Sequence, residues 1–296
     1  MAPADVVVAD TLAAVEHRRR RRRGVGWKLL ASRNLVIGGT ILTILVASAV
    51  LAPWLTANDP LEQEPRNALQ APSLEHPFGT DNFGRDVYSR VLHGGRIDLK
   101  FGFLAVIIPL VVGIVLGSIS GYYGRWVDSS LMRLVDIVQA FPFLVLVIFF
   151  VAVLGPGLWN MVFAVGLVAW IVYARLIRGS VLVEKNKEYV IAAKAIGGND
   201  WRVMRQHLFP NVVTPCIIYA MADIAAYIGL LATLSFLGLG ERPPAPEWGA
   251  MIASGRDYMV TDWWICAIPG AAIVITGIAL SLIGDGLADT LRPGNR

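Results

Sequence analysis

The sequence predicts an all-α integral membrane protein with six transmembrane helices and both termini in the cytoplasm. Hydrophobic residues make up 55% of the 296 positions and charged residues only 16%, against roughly 25% charged residues in a typical soluble domain. Long runs without a charged residue recur along the chain, and about 20 apolar residues in a helix suffice to cross a bilayer. Basic residues concentrate in alternate segments between these runs, which predicts the orientation.

Five uncharged runs define the predicted spans. The third run covers about 38 residues and would extend about 57 Å as a single helix, almost twice the roughly 30 Å of the hydrocarbon core. We therefore predict two helices there, joined by a hairpin at Gly155-Pro156-Gly157, because glycine and proline favour turns. The runs lie at residues 35–55, 101–123, 137–174, 224–240 (extending back to 208 if Asp223 is tolerated) and 263–284.

Lysine and arginine are enriched in the cytoplasmic loops of membrane proteins. With the N-terminus inside, most of the 26 basic residues lie on the cytoplasmic side, and six consecutive arginines at 18–23 precede the first span. We interpret these arginines as a topology anchor at the lipid headgroups, with a nucleic-acid patch as the alternative. Residues 1–33 are predicted to form a basic cytoplasmic tail that is disordered at its start, and the first span is too long for a cleaved signal peptide.

Two longer segments are predicted on the extracytoplasmic side. In the first, residues 86–92 have the pattern of a short amphipathic helix, which either only orients the second span or forms a docking surface or lid. Residues 34–97 thus comprise the first transmembrane helix and an extracytoplasmic segment. The second segment, residues 241–262, is rich in proline and contains Trp248. Trp263 and Trp264 follow directly after the segment. These tryptophans are predicted to mark the membrane boundary, with ligand contact as the alternative.

The largest cytoplasmic element, residues 177–206, is predicted to form two short helices. Asn186 is expected to cap a helix that runs through Ile196, and Gly197 to end it, because glycine readily adopts the left-handed conformation at a helix end. Asn199 is expected to cap the second helix, and Pro210 to mark the turn into the fifth span. Two helices that cross at a glycine elbow make a compact knob between the fourth and fifth spans.

Small residues lie on the predicted knob. Ala192, Ala193 and Gly197 form a patch of low relief, flanked by Tyr189 and Ile196. Such a patch either fits a groove of a partner protein or packs on the membrane spans of the same chain. Spacing alone favours packing within the chain.

Asp223 is the charged residue deepest in a predicted span. An acidic group at the centre of a membrane helix costs about 2.5 to 3.5 kcal/mol and generally faces a bundle interior or a wet cavity. One interpretation is a carboxylate that lines a transport path together with Tyr219 and Tyr227, where it meets a cationic part of the cargo. The other is a protonated or hydrogen-bonded packing residue among the same tyrosines. Asp136 is expected to be structural and to reach the interface or pair with Arg133.

Motifs of enzymes are missing from the chain. It contains no GxxxxGK[ST] phosphate loop, no HExxH and no GxSxG, the patterns typical of nucleotide binding, zinc proteolysis and ester hydrolysis. The two cysteines lie inside apolar runs, and the four histidines have no spacing typical of metal ligands. We predict that the chain is not an enzyme and binds no cofactor or metal, so that any ATP that drives it is bound by another chain.

Four motifs resemble one family. Residues 188–197 (EYVIAAKAIG), closing with 208–211 (LFPN), resemble the EAA loop by which permease subunits of ABC importers engage their ATPases. Residues 76–90 (HPFGTDNFGRDVYSR), 234–258 and 284–287 (GDGL) resemble the C-subunit family of dipeptide and oligopeptide permeases, whose motifs nickel importers share. The likeness covers roughly residues 34–293. Each motif alone is weak, but four in the right order on the expected sides of the membrane are specific.

The resemblance implies a type I ABC importer permease fold, with a permease core at residues 98–290 and a cytoplasmic coupling loop at 179–211. It implies a multi-pass subunit of the bacterial cytoplasmic membrane that translocates short peptides by alternating access, with nickel chelates as the alternative cargo. The implied partners are a homologous second permease, two cytoplasmic ATPase subunits or domains that hold ATP and Mg, and an extracytoplasmic substrate-binding protein; no nucleic acid is implied. The implied coupling residues are Glu188, Tyr189, Ala192, Ala193, Lys194, Gly197 and Pro210.

The chain also departs from the family pattern. Ile191 stands where the glutamate that names the loop is expected, and Glu188, about one turn earlier, is the candidate substitute. Leu231 occupies a position in the fifth span that is often glutamate in the family. Asp223, about two turns earlier, is the candidate for the carboxylate that would line the transport path. An ion-coupled secondary carrier that relies on Asp136 and Asp223 remains an alternative, as does an intramembrane enzyme or assembly factor, for which the chain offers no nucleophile or metal cluster.

Overall fold

The computed structural model of the chain describes residues 32–291, and its regular structure there is helical. Five helices are long and apolar enough to cross a membrane, and a sixth span results if two helices that meet at a sharp bend count as one. The predicted all-α membrane architecture is therefore confirmed. The arginine run at 18–23 and the predicted disorder of the tail lie outside the described residues.

Twelve helices follow one another in the described part of the chain. They are α1 (Arg33–Val50), α2 (Ala52–Leu55), α3 (Val87–Tyr123), α4 (Arg125–Gln139), α5 (Phe143–Leu154), α6 (Leu158–Glu184), α7 (Glu188–Ala195), α8 (Asp200–Val203), α9 (Phe209–Val212), α10 (Thr214–Phe236), α11 (Trp248–Gly255) and α12 (Trp264–Leu291). Single 3₁₀ turns occur at Pro65–Asn67 and Arg256–Tyr258, and a π-helical stretch at Met204–Leu208 joins α8 to α9.

The core forms where α6 packs along α3. Gly113, Gly117 and Gly121 follow one another at four-residue spacing on the face of α3 that meets α6. A Cβ atom added at Gly113 would lie 2.7 Å from the Trp170 carbonyl oxygen, and one at Gly117 would overlap the backbone of Ala174. Small residues at this spacing let two membrane helices approach to backbone contact, so α3 and α6 form a tightly packed pair.

The second span differs from its prediction. The predicted amphipathic helix at 86–92 and the predicted span at 101–123 are one continuous helix, α3, of 37 residues. At about 1.5 Å per residue this helix is about 56 Å long, so one end projects from a bilayer core of about 30 Å. Gly94 and Gly95 do not interrupt it, because both pack closely against the segment around Trp248. The separate interfacial helix was therefore a wrong prediction.

The third span also differs. The segment between the second and third uncharged runs, residues 124–136, is helical and lies mostly in α4, which meets α5 at an angle of 85°. The bend falls at residues 140–142. Pro142 disfavours a helical backbone at the residue before it, Phe141. With 12 residues, α5 would extend only about 18 Å. The hairpin after α5 is confirmed, since Gly155 and Gly157 adopt φ values of 92° and 131°.

The fifth span begins earlier than its uncharged run. Pro210 was expected at the turn into this span, but it lies in the first turn of α9, and Pro215 lies in the first turn of α10. Proline is tolerated there because the first backbone N–H groups of a helix have no partner within it. The backbone from α8 to α10 therefore follows one helical path with small irregularities, and α10 includes Asp223.

Candidate functional site

The knob between α6 and α10 is built from α7, a glycine elbow and α8. Gly197 has φ +86° and ends α7, and Asn199 Oδ1 accepts a 3.0 Å hydrogen bond from the Trp201 N–H at the start of α8. Both predictions are confirmed. The prediction that Asn186 caps α7 is wrong. Its side chain donates to the Leu182 carbonyl oxygen at 2.9 Å and so belongs to the end of α6.

The adjacent alanines Ala192 and Ala193 of α7 differ in exposure. Ala193 is buried with Val190 against the rest of the chain, whereas Ala192 and Gly197 lie on the open surface. Ile196 beside them is 87% exposed, although an apolar side chain gains free energy when it is buried. The open face of the knob therefore combines small residues with an apolar side chain.

The remaining predicted coupling residues lie around this face. Glu188 and Pro210 are exposed, and Tyr189 is 38% exposed. The Tyr189 hydroxyl donates to Glu184 at the end of α6 and accepts a 2.9 Å hydrogen bond from Asn211 Nδ2. Desolvation raises the pKa of the Tyr189 phenol, and the neighbouring Glu184 carboxylate raises it further. Tyr189 thus ties the base of α7 to both α6 and α9.

A second set of contacts ties the knob to α3. Lys194 Nζ lies 4.4 Å from the centre of the Tyr122 ring, a cation–π contact, and the Tyr122 hydroxyl donates to Asp200. Lys185 Nζ donates to the Gly121 carbonyl oxygen at 2.7 Å. Each contact joins a residue that follows α6 in the chain to the last turn of α3. The knob is therefore fixed to the ends of both helices of the packed pair.

Ion pairs hold α4 against α6. Arg178 Nη2 donates to Asp128 Oδ2 at 2.7 Å, and Asp128 also accepts from the Ser120 hydroxyl. Asp136 pairs with Arg175 of α6, so its predicted partner Arg133 is wrong.

A polar cluster surrounds Asp223 at the contact of α6 and α10. The Tyr173 hydroxyl donates to Asp223 Oδ2 at 2.7 Å, and Tyr173 itself is fully buried. Tyr219 packs edge-to-face on Tyr173 with ring centres 5.6 Å apart, and it is 40% exposed, whereas Tyr227 is buried. The structure thus joins the three predicted residues and adds Tyr173, which comes from another helix and had no local sequence signal.

The motif at 76–90 folds into a buried polar cluster at the opposite end of α3. The Asp86 carboxylate caps α3 by accepting from the Ser89 N–H at 2.7 Å, and it also contacts His76 Nδ1 at 2.8 Å. Asp81 accepts a 2.7 Å hydrogen bond from Arg85 Nε. A carboxylate at the N-terminus of a helix is favourable because the unpaired N–H groups and the helix dipole are there. The motif therefore fixes the start of α3.

Two of the predicted boundary tryptophans pack inside the protein instead. Trp248 is 2% exposed and its Nε1 donates to the Val91 carbonyl oxygen at 3.0 Å, while Trp264 is 7% exposed and donates to the Thr80 carbonyl oxygen. Both rings find hydrogen-bond partners, as buried indole N–H groups generally do. Only Trp263 of the three is exposed, at 56%.

Comparison of the sequence with known families gives two matches. Residues 113–296 match the family described as "Binding-protein-dependent transport system inner membrane component". Residues 22–72 match "N-terminal TM domain of oligopeptide transport permease C". Together they cover the first span, the last part of α3, the knob and the helices up to α12, and they leave out residues 73–112.

Curated relatives match over most of their length. A dipeptide transport system permease protein of Alkalihalophilus pseudofirmus is 40% identical over 90% of this chain and 88% of the relative. A probable D,D-dipeptide transport system permease protein of Escherichia coli is 40% identical over 90% of both chains. A di/tripeptide transport system permease protein of Pseudomonas aeruginosa is 39% identical over 90% of both chains.

Two solved structures have a similar fold. An inward-facing structure of the MetNI methionine ABC transporter aligns with a TM-score of 0.55 at 18% identity, covering 69% of this chain and 97% of that chain. A crystal structure of an amino acid ABC transporter with histidines aligns with a TM-score of 0.52 at 15% identity, covering 66% and 91%. The helical arrangement is thus that of type I ABC importer permeases, and the chain belongs to the family of inner membrane components of binding-protein-dependent transport systems.

Proposed function

We propose that the chain is a permease subunit of an ATP-driven importer that carries short peptides across the bacterial cytoplasmic membrane. The observation that carries the proposal is the open face of the knob, where Ala192 and Gly197 lie beside the exposed Ile196. This face suits a groove on an ATPase subunit because small residues allow close approach and an apolar side chain fills the groove. The names of the relatives support peptides over nickel chelates as cargo.

The proposed partners complete the transporter. A homologous second permease forms a heterodimer with this chain, two cytoplasmic ATPase subunits or domains hold ATP and Mg, and an extracytoplasmic binding protein delivers the peptide. Both termini face the cytoplasm in this arrangement, as does the knob. Residues 98–290 form the moving core, and residues 179–211 form the coupling loop.

Force on the knob reaches the spans through rigid contacts. The Lys194–Tyr122 contact and the Lys185 hydrogen bond to Gly121 attach the knob to the end of α3. Because backbone contact at Gly117 leaves no free space between α3 and α6, these two helices tilt together. When ATP closes the ATPase subunits, the pair rocks from an inward-open to an outward-open arrangement, which is alternating access by rigid-body motion.

The cluster around Asp223 supplies the polar wall of the path. Tyr219 is the exposed member of the cluster and contacts cargo first, while Tyr173 holds the carboxylate in place. A short peptide carries an ammonium group at one end, and a carboxylate in a membrane interior attracts a cation strongly. Asp223 therefore favours the passage of the ammonium end.

The proposal is tested by reconstitution. The full chain, co-expressed with the genes that adjoin its own, is purified and inserted into liposomes. The expected result is that nucleotide-binding chains purify with it and that a radiolabelled dipeptide enters the liposomes only with ATP and the delivery protein. Transport by the isolated chain, driven by an ion gradient, would contradict the proposal and favour a secondary carrier.

A further inference from the structure

A cavity of about 320 Å³ opens at the end of α3 opposite the knob. It lies between the loop that precedes α3, the proline-rich segment before α11, and α11 itself. Its charged lining consists of Arg85, Arg90, Arg256 and Asp257, with Asn82 and Ser254 as polar neighbours. Three guanidinium groups thus surround a space lined by a single carboxylate.

The two inner arginines outnumber the carboxylates that neutralise them. Arg85 and Arg90 are each 3% exposed, and Asp81 is the one carboxylate within 4.0 Å of either among residues 32–291. Its Oδ2 lies 2.7 Å from Arg85 Nε and 3.7 Å from Arg90 Nε. A buried charge without a counterion is costly. The cavity wall therefore carries an excess positive charge that an anion would compensate.

Arg85 has donors to spare. A guanidinium group has five N–H donors, and the side-chain hydrogen bond of Arg85 uses Nε alone. Its Nη1 and Nη2 atoms meet no acceptor in the described part of the chain, while the ring of Phe83 covers one face of the group at 4.7 Å. Arg90 differs, because its Nη1 donates to the Pro60 and Pro244 carbonyl oxygens at 2.8 and 3.2 Å. The two terminal nitrogens of Arg85 form the fork that binds a carboxylate in bidentate geometry.

An unsatisfied amide lies at the same cavity. Asn82 Oδ1 is buried and has no hydrogen-bond partner within residues 32–291, although buried polar atoms are nearly always paired. An asparagine amide rotates to present either its oxygen or its NH₂ group. The Asn82 NH₂ group would then donate a hydrogen bond to a carboxylate that Arg85 holds. With the amide turned so that its NH₂ group takes the place of Oδ1, a ligand with acceptor oxygens would give Asn82 its missing partner.

We propose that this cavity binds the free carboxylate of a short peptide on the extracytoplasmic side, with Arg85 as the bidentate donor. The volume is at the lower end of the range for small-molecule pockets, roughly 300 to 1,000 Å³, which suits a small ligand better than a protein segment. Arg256 lies at the rim, where its side chain is 61% exposed and its Nε lies 3.4 Å from Asp257 Oδ1. The carboxylate would approach Arg256 from solvent, and the ammonium end would approach Asp257. The inference rests on the proposed peptide cargo.

Binding to the purified transporter without its delivery protein tests the site. The probes are Ala-Ala and its C-terminal amide, which lacks the carboxylate, and binding is measured by saturation-transfer NMR in nanodiscs. The expected result is that the free acid binds about tenfold more tightly than the amide, since the amide cannot accept the charge-assisted fork. Equal binding of the two probes, or no binding of either, would overturn the inference.

Three variants test whether the binding of Ala-Ala depends on the cavity. Arg85→Lys keeps the charge beside Asp81 but removes the fork, and it should weaken Ala-Ala binding about tenfold. Arg256→Glu changes an exposed side chain that the fold does not need, and it should weaken binding about fivefold by repulsion, which keeps the test valid if Arg85→Lys unfolds. Arg242→Glu, an exposed arginine outside the cavity lining, is the matched control and should bind as wild type.

Two further outcomes separate this inference from others. If Arg85→Lys weakens association of the delivery protein while Ala-Ala does not bind, the cavity takes an acidic side chain of that protein, and the peptide site is refuted. If wild type imports dipeptides with ATP but binds acid and amide equally, only this inference fails. If no dipeptide is imported at all, the proposed function itself fails.

Discussion

Tyr173 on α6 donates a 2.7 Å hydrogen bond to the Asp223 carboxylate on α10. The phenol is fully buried, and the two residues are 50 positions apart in the chain. The bond therefore joins two spans at the polar cluster that we propose as the wall of the path. Because a hydrogen bond to a charged group is worth about 1.5 to 3 kcal/mol, its loss should be measurable.

The first prediction concerns this bond. Tyr173→Phe removes the hydroxyl and should lower the free energy of unfolding by about 1.5 to 3 kcal/mol. In the Asp223→Asn background the same change should cost less, because the acceptor is no longer charged. The free energies of unfolding in mild detergent, compared as a double-mutant cycle, provide the measurement. Additive effects would show that the two side chains do not interact.

The second prediction concerns the role of Asp223 in transport. Asp223→Asn is nearly isosteric and retains a carbonyl oxygen for the Tyr173 hydroxyl, so we expect normal protein levels in the membrane. Dipeptide uptake should fall, because the neutral amide attracts an ammonium group less. Uptake and protein level are measured in the same membranes. Unchanged uptake at a normal level would leave Asp223 as a packing residue only.

The third prediction concerns the glycine elbow of the knob. Gly197→Trp should uncouple ATP hydrolysis from uptake, because a bulky side chain would hold the exposed face away from the ATPase, while the protein remains in the membrane. Within residues 32–291, no atom lies within 4 Å of a Cβ added at Gly197, so the side chain would project outward. ATPase activity and peptide uptake are assayed together on proteoliposomes.

Gly197→Asn is the matched control for this elbow. Its backbone φ of +86° disfavours most side chains, but asparagine tolerates the left-handed region better than others do. The asparagine variant should therefore retain most coupling, which separates backbone strain from bulk. Intact coupling in the tryptophan variant would refute the placement of the ATPase interface on this face.

The fourth prediction concerns the packing of α3 on α6. Gly117→Ala places a methyl group against the backbone of Ala174, and overpacking of this kind costs typically about 1 to 3 kcal/mol. The unfolding temperature in detergent should fall accordingly. Gly39→Ala is the control, since no atom of the described part of the chain lies within 4 Å of a Cβ added at Gly39. Equal behaviour of the two variants would contradict backbone contact between α3 and α6.

The fifth prediction concerns pH. Glu247 is fully buried and caps α11, where its carboxylate accepts from the Gly249 and Ala250 N–H groups at 2.8 Å. Desolvation by burial nonetheless raises the pKa of Glu247 above its ordinary value of 4.5. The folded state therefore binds this proton more tightly than the unfolded state. Its contribution to stability is present below the ordinary pKa and is lost as pH rises through the raised pKa.

Melting curves check this pH dependence. The unfolding temperature of wild type should decrease between about pH 4 and about pH 8 more steeply than that of Glu247→Gln, which cannot ionise. Glu241→Gln, an exposed glutamate in the same segment, should follow the wild-type curve. Parallel curves for wild type and Glu247→Gln would show that the carboxylate does not titrate on unfolding in this range.

Local features of the structure followed from the sequence because their causes are local. An uncharged run of sufficient length predicts a span wherever it folds, and the hairpin at Gly155 and Gly157 depends on backbone freedom that only glycine has. The left-handed Gly197 and the cap at Asn199 likewise involve residues within a few positions of one another. The family resemblance also needed no coordinates, and the family matches together with the curated relatives bear it out.

Contacts between distant residues were decided by the tertiary structure alone. Charges at 96–100 suggested the start of a span, yet α3 continues through them because Arg96 donates to the Ala49 carbonyl oxygen and Asp98 accepts from the Trp248 N–H. Asp136 found its partner on the neighbouring helix rather than its own.

The burial of Trp248 and the hydrogen bond from Tyr173 to Asp223 likewise depend on contacts between distant residues. So do the donors of Arg85 that meet no acceptor within residues 32–291. Charge and hydropathy along a chain determine which segments enter the membrane, since each residue pays its own transfer free energy. Which side chain satisfies which buried polar group depends on how the helices pack, and that geometry arises only when residues far apart in the chain meet.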